Sequence, residues 1–161
     1  NKYYNIKMMK KTILIFAFLL MASCGYETIH SKKNSSSYNF SINSIDLTGD
    51  RDVNLKIKQK LNSYVLNKKE KEFNLIIKTE VKKEILAKDI TGDPISFRNT
   101  ALVNVEVFIN NTLKNKLQIQ KNIKYNNKFN KLELKTYEKE LKSNLAQSIT
   151  EELIYKLSNI Q

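Results

Sequence analysis

The chain has 161 residues, with 28 lysine and arginine residues against 16 aspartate and glutamate residues and a formal net charge of +12 at pH 7. This length corresponds to one domain with a single packed core. The chain holds one cysteine, so an intramolecular disulfide scaffold is excluded.

The first predicted segment is an export signal. "KMMKK" (7–11) is a basic stretch, and "TILIFAFLLMA" (12–22) is an apolar run directly behind it. This order is typical of a secretory signal. The run is about half as long as the roughly 20 apolar residues that a membrane-spanning helix needs, so a spanning helix is not predicted.

The sequence "MASCGY" ends the apolar run and resembles the lipobox of bacterial lipoproteins. Small residues, Ala22 and Ser23, precede Cys24, and Gly25 follows it. The match departs from the commonest pattern in Met21, where leucine is usual, and in Ser23, where glycine or alanine is usual. The alternative is a cleaved secretory signal with an unrelated cysteine near the cut.

The lipobox resemblance implies a membrane anchor. Residues 1–23 would be a lipoprotein-type signal peptide, and Cys24 would carry diacylglycerol and an N-acyl chain such as palmitate. Because each buried methylene contributes about 0.8 kcal/mol, two or three acyl chains hold a protein durably. Gly25 in place of aspartate implies delivery to the outer membrane. Residues 24–37, which end in the polar "SKKNSSS", are then the lipidated anchor and linker, and residues 38–161 are the folded domain.

A strand and a helix open the domain. In "YNFSINSIDLTGD" (38–50) apolar residues alternate, slip in phase and alternate again, which predicts a strand with a bulge. Asp50 or Asp52 then caps a helix that ends near residues 67–69. The predicted buried stripe of this helix is Val53, Ile57, Leu61, Tyr64 and Val65.

Three further strands follow. "EFNLIIKTEV" (72–81) alternates clearly, and "LAKDITGDPISFR" (86–98), with the only proline, predicts a hairpin-like connection. A third strand resumes at Ser96 and continues to Ile109. "NNTLKN" (110–115) reverses the chain. The fourth strand carries Leu117, Ile119, Ile123 and Tyr125.

A long amphipathic helix ends the chain after "YNNKFNK" (125–131). Its apolar stripe is Leu134, Tyr137, Leu141, Leu145, Ile149, Leu153 and Leu157. The element order is β-α-β-β-β-α. It predicts an α+β two-layer sandwich, with an antiparallel or mixed sheet of about four strands and two helices on one face.

In this order the pieces resemble the LPS-assembly lipoprotein family, LptE. The matching segments are "SCGYETIHSKK" (23–33), "LAKDITGDPISFR" (86–98) and the final helix with its approach, "YNNKFNKLELKTYEKELKSNLAQSITEELIYKL" (125–157). The likeness covers nearly all of the chain after the signal. None of the segments is a catalytic motif, and the resemblance rests on their order behind a lipobox.

The resemblance implies a component of the lipopolysaccharide export machinery of the Gram-negative outer membrane. Members of this family plug a large outer-membrane β-barrel, LptD, assist its assembly and help deliver lipopolysaccharide. The protein would be lipid-anchored, facing the periplasm or lying within the barrel lumen. Lysine and arginine suit an anionic, phosphorylated head group. The candidate contacts are Arg98, Lys128, Lys131 and Lys135, and the alternative for each lysine is an ordinary solvated surface.

Other functional classes fit the sequence less well. His30 is the only histidine and lies in the linker, so no Cys/His or Ser/His/Asp arrangement can be built on the domain, and neither an enzyme nor a metal or cofactor site is predicted. Without residues 1–23 the charge is still +8 (12 − 4 lysines), but the lysines alternate with glutamates, which disfavours nucleic-acid binding. The remaining alternative is a periplasmic adaptor or binding lipoprotein of the envelope, without an obligate barrel.

Overall fold

The computed structural model describes residues 38–66 and 68–160. The predictions of a signal peptide, of lipid on Cys24 and of a linker up to residue 37 lie outside the described residues.

The described chain forms a four-stranded mixed sheet and two helices, in the predicted order. The sheet order is β1-β2-β3-β4, with β1 parallel to β2 and the other neighbours antiparallel. The one parallel pair arises because a helix crosses over between β1 and β2. The elements are β1 (Ser41–Gly49), α1 (Arg51–Val65), β2 (Glu72–Lys88), β3 (Pro94–Ile109), β4 (Thr112–Asn126) and α2 (Lys131–Ser158).

Both helices pack on one face of the sheet, as predicted. Alternate residues of β2 and β3, such as Ile77 and its cross-strand partner Val105, are buried there against the helices. The opposite face is open, and its residues are mostly polar. They include Lys78, Glu80, Thr100, Asn104, Gln118 and Gln120.

The first strand and helix follow the predicted pattern with one correction. The phase slip in β1 is a register shift between Ile42 and Ser44. Asp50, not Asp52, is the N-cap of α1, because its carboxylate accepts the backbone N–H groups of Asp52 and Val53. The prediction that Val65 belongs to the buried stripe was wrong: the helix ends there, earlier than expected, and the residue is 37% exposed.

The connection between β2 and β3 is shorter than predicted. β2 continues to Lys88 and β3 begins at Pro94, so most of the segment 86–98 is paired strand and only residues 89–93 turn. Pro94 fits the first position of a strand, where its missing N–H is tolerated. The sequence did not predict the full length of β2, because residues 82–86 are exposed and show no alternation of buried and exposed positions.

The reversal between β3 and β4 is also tighter than predicted. Asn110 and Asn111 both have positive φ, 50° and 62°. Two consecutive left-handed residues form the kind of two-residue hairpin turn that asparagine tolerates. Strand β4 therefore begins at Thr112, inside the segment expected to be the turn.

The final helix buries its predicted stripe from Leu141 onward. Asn130 caps α2 by accepting the N–H groups of Leu132 and Glu133. Of the helices in the described part of the chain, none has the length and apolar character that crossing a bilayer requires. The buried positions of α2 are Leu141, Leu145, Ala146, Ile149, Thr150, Leu153 and Leu157.

A polar junction ties the start of α1 to α2. Lys142 Nζ donates to Asp50 Oδ2 at 2.9 Å. Burial by itself raises the pKa of Asp50, but the hydrogen bonds from Val53 and Lys142 outweigh it, and the pKa of Asp50 lies below its ordinary value. The ionised form of Asp50 is therefore the one that stabilises the fold.

We expect Asp50→Asn to lower stability at neutral pH while keeping the helix cap. Asparagine still accepts the N–H groups, but the pair with Lys142 loses its charge, at a cost of up to about 1 kcal/mol. Because the pKa is lowered by folding, this contribution is complete above the unfolded value, 3.8, and is lost as the pH falls through the folded value. Urea unfolding at pH 7 should show a lower free energy of unfolding for the variant than for the wild type. Under strongly acidic conditions the two free energies should become equal.

The control for this variant is Asp46→Asn, which removes an exposed carboxylate from β1. Equal losses at pH 7 in both variants would contradict a specific role for the Asp50–Lys142 pair.

Candidate functional site

One end of the domain brings together the β2–β3 turn and the loop that precedes α2. The backbone N–H of Asn127 donates to the carbonyl of Ile95 at 2.9 Å, and its side-chain amide donates to the carbonyl of Pro94 at 2.7 Å. These two bonds hold the connections side by side. We call residues 89–93 and 127–135 together the tip.

Aspartates shape the β2–β3 turn. Asp89 Oδ1 accepts hydrogen bonds from the hydroxyl of Thr91, at 2.7 Å, and from the N–H of Asp93, at 2.8 Å. These hydrogen bonds lower the pKa of Asp89. Gly92 supplies the positive φ of +92° that the turn requires. The carboxylate therefore organises the turn, as its turn-forming neighbours in the sequence indicated.

Large apolar side chains of the tip are fully open to solvent. Ile90 is 106% exposed, Phe129 is 111% exposed and Leu132 is 73% exposed. Ile95, beside them, is about half exposed. Single exposed apolar residues are ordinary, but several at one end of a small domain are typical of a surface that binds an apolar partner or ligand.

The three candidate lysines lie around this apolar surface but differ in their contacts. Lys128 pairs with Glu133, which raises the pKa of Lys128, and its ammonium lies 4.6 Å from the centre of the Tyr137 ring. Lys131 and Lys135 are exposed and have no ion pair within the described residues. Lys131 also occupies the first turn of α2, where the helix dipole disfavours a cation. Lys131 and Lys135 are thus the lysines available to an anion.

Arg98 does not join this group. Its neighbours Phe97 and Asn99 are buried on the helix side of β3, so Arg98 points to the open face. There it faces Glu84 on one side and Lys124 on the other. The four residues predicted to contact one ligand therefore occupy two different surfaces.

A partly buried polar cluster behind the tip was not predicted. The Tyr125 hydroxyl donates to Glu138 Oε1 at 2.8 Å, and Lys83 Nζ donates to the same oxygen at 2.5 Å. Burial and the adjacent Glu138 carboxylate raise the pKa of Tyr125, so the phenol stays neutral and donates. The cluster joins α2 to β2 and β4. No spacing in the sequence indicates it, because Lys83 and Glu138 are 55 positions apart.

Within residues 38–66 and 68–160, no three His, Cys, Asp or Glu side chains are grouped as a metal ion would need. The tip instead combines an apolar surface with the ammonium groups of Lys131 and Lys135. This combination suits an amphiphile that has acyl chains and an anionic head group.

The described domain is an α+β domain whose mixed sheet is open on one face, and it shares this fold with bacterial lipoproteins. It is similar to the rare lipoprotein B of Shewanella oneidensis, with a TM-score of 0.51 and 15% identity over 73% of this chain and 98% of that one. It is also similar to a minor lipoprotein of Acinetobacter baumannii, with a TM-score of 0.51 and 13% identity over 74% and 94%.

A third structure of this fold is a putative lipoprotein of Caulobacter crescentus, with a TM-score of 0.51 and 11% identity over 71% of this chain and 87% of that one. No protein-family model and no curated protein matches the sequence of the chain. At these identities the likeness shows a common fold.

Proposed function

We propose that this protein is an outer-membrane lipoprotein of the lipopolysaccharide export machinery. In this proposal Cys24 carries the lipid, the domain plugs a large LptD-like β-barrel and assists its assembly, and the tip contacts lipopolysaccharide without catalysing a reaction. The lipobox-like "MASCGY" and the fold shared with lipoproteins support the anchor. The observation that supports lipopolysaccharide as the ligand is the composition of the tip. There, exposed apolar side chains lie near lysines that have no ion pair in the described chain.

The chemistry of the tip fits the two parts of lipopolysaccharide. Ile90 and Phe129 offer apolar surface to acyl chains, while Lys131 and Lys135 offer ammonium groups to phosphates. Lysines near an anionic lipid surface contribute about 1 kcal/mol each.

The position of the tip also suits an anchored protein. β1 begins at Ser41, which pairs with Glu72 at the start of β2, and the tip lies at the other end of β2. The 17 residues of that strand extend over about 55 Å at roughly 3.3 Å per residue. The described chain therefore begins, at Tyr38, far from the tip.

The experiment that tests the function is mild detergent extraction of outer membranes that carry the full chain with a carboxy-terminal tag. We expect one large β-barrel to purify with it in equal amount. An acylated protein with no barrel partner would contradict the export role and favour an adaptor lipoprotein of the envelope.

Charge reversal at the tip should weaken lipopolysaccharide binding. We expect the double variant Lys131→Glu/Lys135→Glu to lose at least about tenfold in affinity, because two favourable ammonium contacts become repulsive. The measurement is binding of purified lipopolysaccharide, with circular dichroism to verify folding.

The matched control is Lys58→Glu/Lys60→Glu, which makes the same change in net charge on exposed positions of α1. An equal loss in this control would mean that only the overall charge matters and would contradict a site at the tip.

A further inference from the structure

Helix α1 and the connection that follows it hold most of the excess positive charge of the described domain. Residues 51–71 contain seven basic and two acidic residues, whereas the rest of residues 38–160 contains fifteen basic and thirteen acidic residues. The other helix, α2, is balanced, with five lysines and five glutamates. We call residues 51–71 the basic segment. Its basic residues are Arg51, Lys56, Lys58, Lys60, Lys68, Lys69 and Lys71.

The fold does not neutralise the basic segment. None of its residues forms an ion pair within the described chain, whose ion pairs all lie elsewhere. Lys71 donates to the backbone carbonyl of Ile160, which carries no net charge. Lys56 and Lys60 stand four residues apart on one helix, where like charges repel. The segment would therefore be stabilised by an anionic partner that the described chain does not supply.

The solvent side of α1 combines these charges with apolar surface. Leu55 is 56% exposed, and Leu66, the C-cap residue, is 74% exposed. Eleven positions make about three turns of an α-helix, so both leucines lie on the same side. A helix that lies on a bilayer has this arrangement, with apolar side chains in the head-group region and lysines reaching the phosphates around them. The lysines that border the two leucines are Lys58 on one side and Lys56 and Lys60 on the other.

The basic segment lies where the described chain begins. The ring of Tyr64, in the last turn of α1, lies 6.1 Å from the ring of Tyr38 and stacks with Phe40 at 5.2 Å. Cys24 stands 14 positions before Tyr38, and an extended chain of that length spans at most about 50 Å. A lipid on Cys24 would therefore keep the last turn of α1 within that distance of a bilayer.

We propose that the solvent side of α1, with the basic segment, docks on a bilayer surface that contains anionic phospholipids. Leu55 and Leu66 enter the head-group region, and the bordering ammonium groups contact the lipid phosphates. Each lysine near such a surface shifts the docking equilibrium about fivefold, so several lysines together act as a second membrane signal beside the acyl chains. The inference rests on the lipid anchor of the proposed function, and it uses neither the barrel nor lipopolysaccharide.

A bilayer surface fits the basic segment better than a single anion does. The 15 residues of α1 extend over about 22 Å, and the connection behind the helix adds further lysines. One dispersed head group cannot contact all these residues together, whereas a row of phospholipids can. Docking is therefore separate from lipopolysaccharide binding at the tip, and Lys58→Glu/Lys60→Glu stays the control for the tip.

The test is lysine footprinting of the full chain in vesicles of phosphatidylcholine alone and of equal parts phosphatidylcholine and phosphatidylglycerol. An amine-reactive reagent, followed by mass spectrometry, gives the reaction rate of each lysine. We expect the rates of Lys56, Lys58 and Lys60 to fall at least about threefold in the anionic vesicles, because phosphates cover their ammonium groups. The rates of Lys78 and Lys88, which are exposed on β2, should not change. High salt should abolish the difference between the vesicles.

Removing the lysines of α1 should release the helix from the anionic vesicles. We expect Lys56→Gln/Lys58→Gln/Lys60→Gln to lower the ratio of docked to undocked protein at least about tenfold, since three favourable contacts are lost. The protection of Lys68, which this variant keeps, measures that ratio, and circular dichroism verifies folding.

The matched control is Lys78→Gln/Lys88→Gln/Lys139→Gln, which makes the same change in net charge at exposed positions outside the basic segment. Equal rates at the lysines of α1 in both vesicles would overturn the proposal, as would protection of the tip lysines alone or an equal release in the control. The intact mass of the same preparation shows whether Cys24 is acylated, and barrel capture is measured separately. A failure of docking is therefore distinguishable from a failure of the proposed function.

Discussion

Replacing Gly49 with alanine should unfold the domain or remove most of its stability. Gly49 has a φ of +104°, and a Cβ at this position would lie 1.8 Å from the carbonyl oxygen of Thr79. That oxygen cannot move away to relieve the clash, because Thr79 is buried in β2, beside β1, and its carbonyl accepts the N–H of Asp50. We expect a loss of at least about 4 kcal/mol, a large share of the roughly 5–15 kcal/mol that stabilises a typical domain.

The matched control for this prediction is Gly92→Ala. Gly92 has a similar φ of +92°, but a Cβ added there would have no neighbouring atom within 4 Å. Alanine there bears only the backbone strain, about 1–2 kcal/mol. Urea unfolding followed by circular dichroism measures both variants. If Gly49→Ala were no more destabilised than Gly92→Ala, the conclusion that Gly49 lies against the Thr79 carbonyl of β2 would be wrong.

Replacing Leu145 with aspartate should destabilise the domain nearly as strongly. Leu145 is 5% exposed and lies in the core between α2 and the sheet, together with Ala146 and Ile149. An unpaired carboxylate there must either lose its hydration or take up a proton, at a cost of about 3–5 kcal/mol. Thermal and urea unfolding should both show the loss.

The control is the same substitution at Leu132, which is 73% exposed in the first turn of the same helix. An acidic residue near a helix N-terminus is favourable, so Leu132→Asp should change stability by no more than about 0.5 kcal/mol. Full stability of Leu145→Asp would show that the apolar stripe of α2 had been assigned to the wrong face.

Periodicity predicted the elements whose faces differ in burial. The stripe of α2 from Leu141 to Leu157 and the phase slip in β1 both appear in the structure because burial selects apolar residues at those positions. Periodicity failed where burial does not differ. The distal part of β2, near Lys88, is exposed, and its backbone pairing with β3 holds it in the sheet.

The candidate site was predictable only in part. The lysines around the start of α2 were visible in the sequence, but it could not show that Lys128 is paired with Glu133 while Lys131 is not. Neither could it show that the β2–β3 turn and the loop before α2, which carry Ile90 and Phe129, lie side by side, since that depends on Asn127 bonding to β3. The lipid on Cys24 and the barrel partner stay predictions.

The sequence by itself determined the order of the elements, the α+β class and the helix stripes, because these depend on local periodicity and on apolar residues avoiding water. Only the tertiary structure decided that Arg98 lies on a different surface from the other candidate contacts, beside Lys124. That placement depends on strand register, which assigns each side chain to one face and is set by pairing between segments distant in the chain.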